Sequence, residues 1–198
     1  MRAMFALFVL LLAGACAPFT LVPANTQQSV PGLTVQPGIA HNRMGAHIAN
    51  LPDRVELWTI DGQILDHMLF IGGVADGNAV LKLPVAQQDR AEPMPLFRAA
   101  MPAGDIVELF AASIVRTGRT PAVVTQNIRP APFLETQGFR FDYTYSGTDE
   151  VDRRGTAIGA VRDGRLYMIA FEGTQLLHFG RQLPEAERIF ASARLRAG

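Results

Sequence analysis

The sequence predicts an α+β domain, an antiparallel β-sheet flanked by helices. Three observations carry that expectation. Phe139, Phe141, Tyr143 and Tyr145 alternate with Arg140, Asp142 and Thr144, the period of a strand with one apolar face. Asp61-Gly62 and Asp163-Gly164 each separate two apolar runs, a hairpin pattern. Ile106, Leu109, Phe110 and Ile114 recur at helical spacing, as do Ala186, Ile189, Phe190 and Ala193, so each segment turns one stripe toward a core.

Before these elements comes an export region. Arg2 precedes an unbroken apolar run over residues 4–13. At about 1.5 Å per residue this run spans roughly half of a ~30 Å bilayer core, as a signal peptide does, and is too short for a transmembrane helix. Ala13-Gly14-Ala15 suits ordinary secretory cleavage after Ala15. Followed by Cys16, the sole cysteine of the chain, the same residues resemble the lipobox of bacterial lipoproteins. That resemblance makes Cys16 the lipidation site and first residue of the mature chain. It departs from the family in having Ala13 three places before the cysteine, where Leu is favoured, with Leu12 one position earlier. On the other reading Cys16 is incidental to a normal cleavage site. A lone thiol in an oxidising compartment has no intramolecular partner, which favours acylation. Two or three acyl chains would give stable anchoring, which one chain does not. Ala17 stands where the family's inner-membrane retention signal places Asp, so the resemblance implies an outer-membrane lipoprotein on the periplasmic face.

The domain plan is then a signal peptide over 1–15, the lipidated Cys16 with a flexible tether over 16–40, and a single α+β domain over 41–198. The tether is inferred from Pro18, Pro23, Pro31 and Pro37 among small and amide residues with no charge, a composition that predicts extended or disordered chain. Hydrophobic residues make up 48% of the 198, ample for one core. Eighteen basic residues balance 18 acidic ones, so there is no electrostatic footprint for nucleic acid or an anionic membrane.

Within the domain, residues 55–60 predict a strand, Asp61-Gly62 a two-residue turn and residues 63–70 the return strand. Gly72, Gly73 and Gly77 break the pattern, and residues 87–102, with Pro93, Pro95 and Pro102, predict a long irregular connection. Asp105 and Glu108 have N-cap and N3 spacing, and Gly118 is placed to end that helix. Residues 121–128 predict a strand ended by Pro130 and Pro132. Residues 166–171 are apolar at both parities, the mark of a central strand covered on both faces. Residues 174–179 predict a short turn stopped by Gly180, and Pro184 a new helix, with Glu185 and Glu187 at its start and Arg194 and Arg196 at its end.

The order of hairpin, helix, antiparallel strands and terminal helix, with Gly138-Phe139-Arg140-Phe141, Asp163-Gly164-Arg165-Leu166-Tyr167 and Ile189-Phe190-Ala191-Ser192, resembles the PsbP/Mog1 class of α/β/α sandwiches over residues 55–195. Members of that class are mostly binding or assembly proteins, so the resemblance implies no catalytic residues, cofactor or metal to carry over.

The residues themselves point the same way. His41, His47, His67 and His178 are the only histidines, and none forms an i, i+4 pair or a Cys/His cluster. Asp66 and His67 are adjacent on a strand and therefore point to opposite faces. Ser113 sits in no nucleophile elbow and reads as packing or back-bonding to its helix. Residues 72–77 lack the Lys-Ser/Thr of a phosphate loop, and Asp76-Gly77-Asn78 lacks the acidic positions of a calcium loop. Asp149, Glu150, Asp152, Arg153 and Arg154 read as a solvated mixed-charge loop. Trp58, the one tryptophan, is a core anchor or a partner contact.

The expected function is a lipid-anchored envelope protein whose domain acts without catalysis, by binding a partner protein or supporting an assembly. Two alternatives stand beside it. One is a carrier or binding module for a small apolar or amphiphilic ligand, using a pocket between residues 87–102 and the sheet. The other is an unrecognised hydrolase, which a deep cleft with converging Asp, His and Arg side chains would favour.

Overall fold

A computed structural model describes residues 19–45, 50–85 and 92–196. Cys16 and the signal region lie outside the described residues, as do residues 86–91 of the irregular connection. The chain runs β1 (Phe19–Val22), β2 (Gln28–Val30), β3 (Leu33–Val35), β4 (His41–Met44), β5 (Val55–Thr59), β6 (Asp66–Val74), α1 (Ala103–Arg116), β7 (Val124–Phe133), β8 (Thr136–Ser146), β9 (Asp152–Arg162), β10 (Arg165–Thr174), α2 (His178–Ser192) and β11 (Arg194–Leu195). This is an α+β architecture dominated by one antiparallel sheet of eight strands, in the order β1-β4-β5-β6-β10-β9-β8-β7.

The sheet is central because its middle strands are apolar at both parities. On β10, Leu166, Met168 and Ala170 join one core with Ile106, Phe110 and Ile114 of α1. Ile169 and Phe171 join a second with Phe179, Ala186, Ile189 and Phe190 of α2. The two helices therefore cover opposite faces, as the double apolar pattern of β10 predicts. The aromatic row of β8 is buried on the α1 face, where the Phe110 ring meets Phe141 and Tyr143 edge-on at 5.7 and 5.5 Å. On the α2 face Trp58 is fully buried and tilted on Phe70 at 4.5 Å. It is a core anchor.

The expected tether is corrected. Residues 19–40 are part of the folded domain: β1 pairs with β4, and β2 and β3 form a second sheet with β11 in the order β11-β3-β2. Val22, Val30, Leu33 and Val35 are buried in the α2-face core. Strands of three or four residues carry no readable period, and what orders them is the apolar face they cover.

Other boundaries move for local reasons. The β5–β6 connection spans residues 60–65 rather than two, because the Asp66 carboxylate draws the chain back, accepting the N–H groups of Ile60 (2.7 Å) and Asp61 (2.8 Å). Gly72 and Gly73 lie inside β6. The partner of Val74 is Leu166 and that of Gly72 is Tyr167, so Gly73, at φ +71°, is the extra residue of a bulge. β7 continues through Pro130 and Pro132 because it is the edge strand, where a missing N–H can face solvent.

α1 starts at Ala103 behind Pro102, with Asp105 in its first turn rather than at the cap, and Gly118, at φ +75°, follows its end. α2 is one helix running through Gly180 and Pro184. Its buried stripe of Phe179, Gln182, Ala186, Ile189 and Phe190 extends upstream of the proline, and that packing outweighs the lost backbone bond. Consequently Glu185 and Glu187 are mid-helix, and Arg194 lies in β11.

Candidate functional site

The α1 face is not covered uniformly. Beyond the C-terminal end of α1, at the end of the sheet that carries the β5–β6 and β8–β9 connections, lies a cavity of about 460 Å³. Leu51, Leu57, Leu69, Leu81 and Pro84 supply its apolar wall, and His67, Lys82, Arg119, Asp149 and Arg153 its polar side.

Register builds the polar side. His67 of β6 stands opposite Glu172 of β10, which stands opposite Gly155 of β9, which stands opposite Tyr143 of β8. The four share one face, and the missing side chain at Gly155 makes room for the Tyr143 ring, which any Cβ there would overlap. One step toward the sheet end, Tyr145 stands opposite Arg153. Arg119 enters from outside the sheet. The turn at Gly118 releases the chain from α1, and the Thr148 N–H donates to the Arg119 carbonyl at 2.9 Å, holding that residue against the β8–β9 loop.

Glu172 is the centre of the group, 2% exposed. Its Oε1 accepts the Tyr145 hydroxyl at 2.6 Å and an Arg119 guanidinium N–H at 2.7 Å. Its Oε2 is buried with no hydrogen-bond partner among the described residues. Burial pushes its pKa up, but attraction from His67 and Arg119 and the bonds from Tyr145 and Arg119 pull it below the ordinary carboxylate value. His67 is pushed below the ordinary imidazole value by burial, against the pull of Glu172. Both tyrosine hydroxyls are pushed up, first by burial and then by Glu172.

Arg153 is not solvated, contrary to the mixed-charge-loop expectation. It is buried and grips Asp149 with two nitrogens, at 2.8 and 2.6 Å, while donating to the Ile64 carbonyl at 3.1 Å. That grip holds the Asp149 carboxyl well below the usual range. Arg154, one residue on, faces the other way and lies over the Phe179 ring at 4.7 Å.

Chemically this is a compensated ion cluster under an open cavity. The His67 Nε2 lies 3.8 Å from Glu172 Oε1, an ion-pair distance but beyond hydrogen-bond reach. Asp66 faces away from it, as strand parity requires, and serves the β5–β6 turn. Ser113 is buried and donates back to the Leu109 carbonyl at 2.7 Å, as expected. Asp76 accepts the Ala99 N–H at 2.8 Å, which makes residues 76–78 part of a loop clasp. Among the described residues no group of three His, Cys, Asp or Glu side chains is placed to hold a metal ion. No helix among them is long and apolar enough to cross a membrane.

Of residues 87–102, the stretch expected to form a pocket against the sheet, the structure describes 92–102. Phe97 is fully buried and its N–H donates to the Asn78 carbonyl at 2.9 Å, so the described part of this stretch is docked on the α1-face core. Its Met101 borders a separate cleft of about 400 Å³ against Ile106, Pro130 and Phe139. The larger cavity was not legible, because Glu172, Arg119 and Arg153 meet only through register and the α1 exit turn. The one usable signal was Glu172 itself, an acid directly after the apolar run 166–171. Compared with known proteins, the sequence matches no protein-family model and no curated protein.

Proposed function

We propose that this chain is a lipid-anchored protein of the bacterial cell envelope, held through Cys16 at the periplasmic face of the outer membrane, whose domain binds its target without transforming it. The lipobox resemblance supports the anchor, and the layering of one helix on each face of an antiparallel sheet agrees with a PsbP/Mog1-like sandwich. The observation that carries the binding reading is the cavity of about 460 Å³ with an apolar wall and a fixed ionic side, a volume in the range of small-molecule sites. Of the two kinds of target, a protein partner and a small amphiphile, the cavity favours the amphiphile. Because β1 begins at Phe19, three positions after Cys16, a lipid on Cys16 would be attached within a chain reach of at most about 10 Å from the sheet edge.

The test is mass spectrometry of protein isolated from membranes. Denatured, it should begin at Cys16 and carry acyl groups that a Cys16→Ala variant lacks. Under native conditions it should carry a further non-covalent mass. An acylated but ligand-free protein that cross-links to one envelope protein would replace the small-ligand reading with the assembly reading.

The convergence of His67, Glu172 and Arg119 beside a cleft favours a second reading, hydrolysis with His67 as general base. Turnover of a generic ester, phosphate or glycan substrate, abolished by His67→Ala and retained by Ser113→Ala, would establish it in place of binding.

A further inference from the structure

Resting on that binding reading, we infer that the cavity receives an anionic amphiphile, its carboxylate or phosphate held by Arg119 and Lys82 and its hydrocarbon laid against Leu51, Leu57, Leu69 and Leu81. The charge distribution decides the head group. Arg153, whose Nε lies 3.9 Å from Glu172 Oε1, is committed through both terminal nitrogens, to Asp149 and to the carbonyls of Ile64 and Val151. Arg119 is not: one terminal nitrogen serves Glu172, its other nitrogens make no hydrogen bond among the described residues, and its side chain is 37% exposed. Lys82 borders the same cavity, is exposed, and has no acidic partner among the described residues. Three cations, Lys82, Arg119 and Arg153, thus face two carboxylates, Asp149 and Glu172, and the unspent charge sits on the two cations with open donors. A planar guanidinium with a free edge suits a carboxylate or phosphate oxygen pair. A cationic head would have to be met by Asp149, which is locked on Arg153, or by Glu172, which is enclosed and already compensated.

The surroundings of the mouth point to the tail. Ile64 borders the cavity and is 65% exposed. The chain next to it, Leu65, is bonded through its carbonyl to the Thr174 N–H at 2.9 Å, which brings the β5–β6 turn beside the β10–α2 turn. Together Ile64, Leu65, Leu176 and Leu177 expose four large aliphatic side chains there, Leu176 at 99%. Exposed aliphatics clustered on one tip mark an interaction surface for apolar matter. Of these four, Ile64 lines the cavity itself, so the apolar tip adjoins the cavity through that residue.

The experiment titrates the full-length protein below micelle concentrations with four probes of equal chain length: dodecanoate, dodecyl phosphate, dodecanol and dodecyltrimethylammonium. Both anions should bind at least tenfold more tightly than the other two. Lys82→Gln, at an exposed position, should cut the anion preference severalfold, and Arg119→Gln should abolish it. Should Arg119→Gln fail to fold, the exposed Lys82 variant still decides the matter. A stronger hold on dodecanoate assigns a free fatty acid, and a stronger hold on dodecyl phosphate a phospholipid-type head. Equal binding of all four probes, or an anion preference untouched by Lys82→Gln, overturns the inference and leaves the cavity a general apolar site. Failure of every probe to bind overturns both the inference and the binding reading beneath it.

Discussion

Asp66 and His67 are neighbours in the chain and belong to different machines. On the α2 face, Asp66 spends its carboxylate on the Thr59 hydroxyl and the N–H groups of Ile60 and Asp61, and Glu185 of α2 accepts the N–H groups of Gly38 (2.7 Å) and Ile39 (3.4 Å). These are scaffold acids, since each replaces backbone bonds that irregular chain cannot make for itself. On the α1 face, Glu172 is surrounded by side chains alone, leaves one oxygen unpartnered and underlies a cavity. A buried carboxylate costs free energy wherever it sits, and what it is spent on separates a structural use from a candidate site.

The sharpest way to break the scaffold face is at Gly72. A Cβ there would overlap the Pro31 carbonyl, which belongs to the segment first expected to be a tether. Backbone cannot step aside as a side chain does, so Gly72→Ala should cost about 3 kcal/mol or more, the upper end of overpacking. Denaturant unfolding measures it. A loss under about 1 kcal/mol would mean that residues 28–35 are not seated on the sheet.

The site face should respond to Glu172→Gln. Removing one partner of a fully buried pair costs about 3–5 kcal/mol. Because the Arg119 side chain is 37% exposed, water takes up part of its charge, and we expect a loss of about 2–3 kcal/mol at pH 7. The pH dependence fixes the sign. The folded pKa of Glu172 lies below the ordinary 4.5, so its contribution is complete above pH 4.5 and fades as pH falls through the folded value. His67, held below the ordinary 6.5 by burial, makes the unfolded chain the better proton acceptor just below pH 6.5, so stability begins to fall there. The wild-type and Glu172→Gln curves should therefore differ by a nearly constant amount at neutral pH and converge below pH 4.5. Parallel curves down to pH 3 would mean that Glu172 is not ionised in the folded protein.

The two faces also differ in how much of them could be read beforehand. The pattern of β8, the double apolarity of β10 and the stripe of α1 are local properties, and each reappears in the fold because burial acts on the period of the chain itself. The Asp163-Gly164 turn is local too, with positive φ at both residues, 51° and 69°. What stayed hidden depends on a partner distant in sequence. Val30 and Val35 look like linker residues until α2 covers them, and Pro130 ends a strand unless that strand is an edge. The cavity group needs register: parity separates Asp66 from His67, but only the alignment of β6 with β10 sets His67 against Glu172, and only the turn at Gly118 delivers Arg119.

Pro184 provides the mildest perturbation and a control for both faces. It is exposed, inside α2, and turned away from the buried stripe, so replacing it touches neither core nor cavity. Proline in a helix interior is about 3 kcal/mol worse than alanine, whereas its restriction of the unfolded chain returns up to about 1 kcal/mol. Pro184→Ala restores an N–H that can donate to the Gly180 carbonyl, and should stabilise the protein by about 1–2 kcal/mol with no change in the affinity of the cavity for its probes. If it destabilised instead, a bend set by the proline would be what allows Phe179 to reach Phe171, whose ring it stacks on at 5.6 Å. In that case the α2 face would owe its closure to the helix's defect as well as to its stripe.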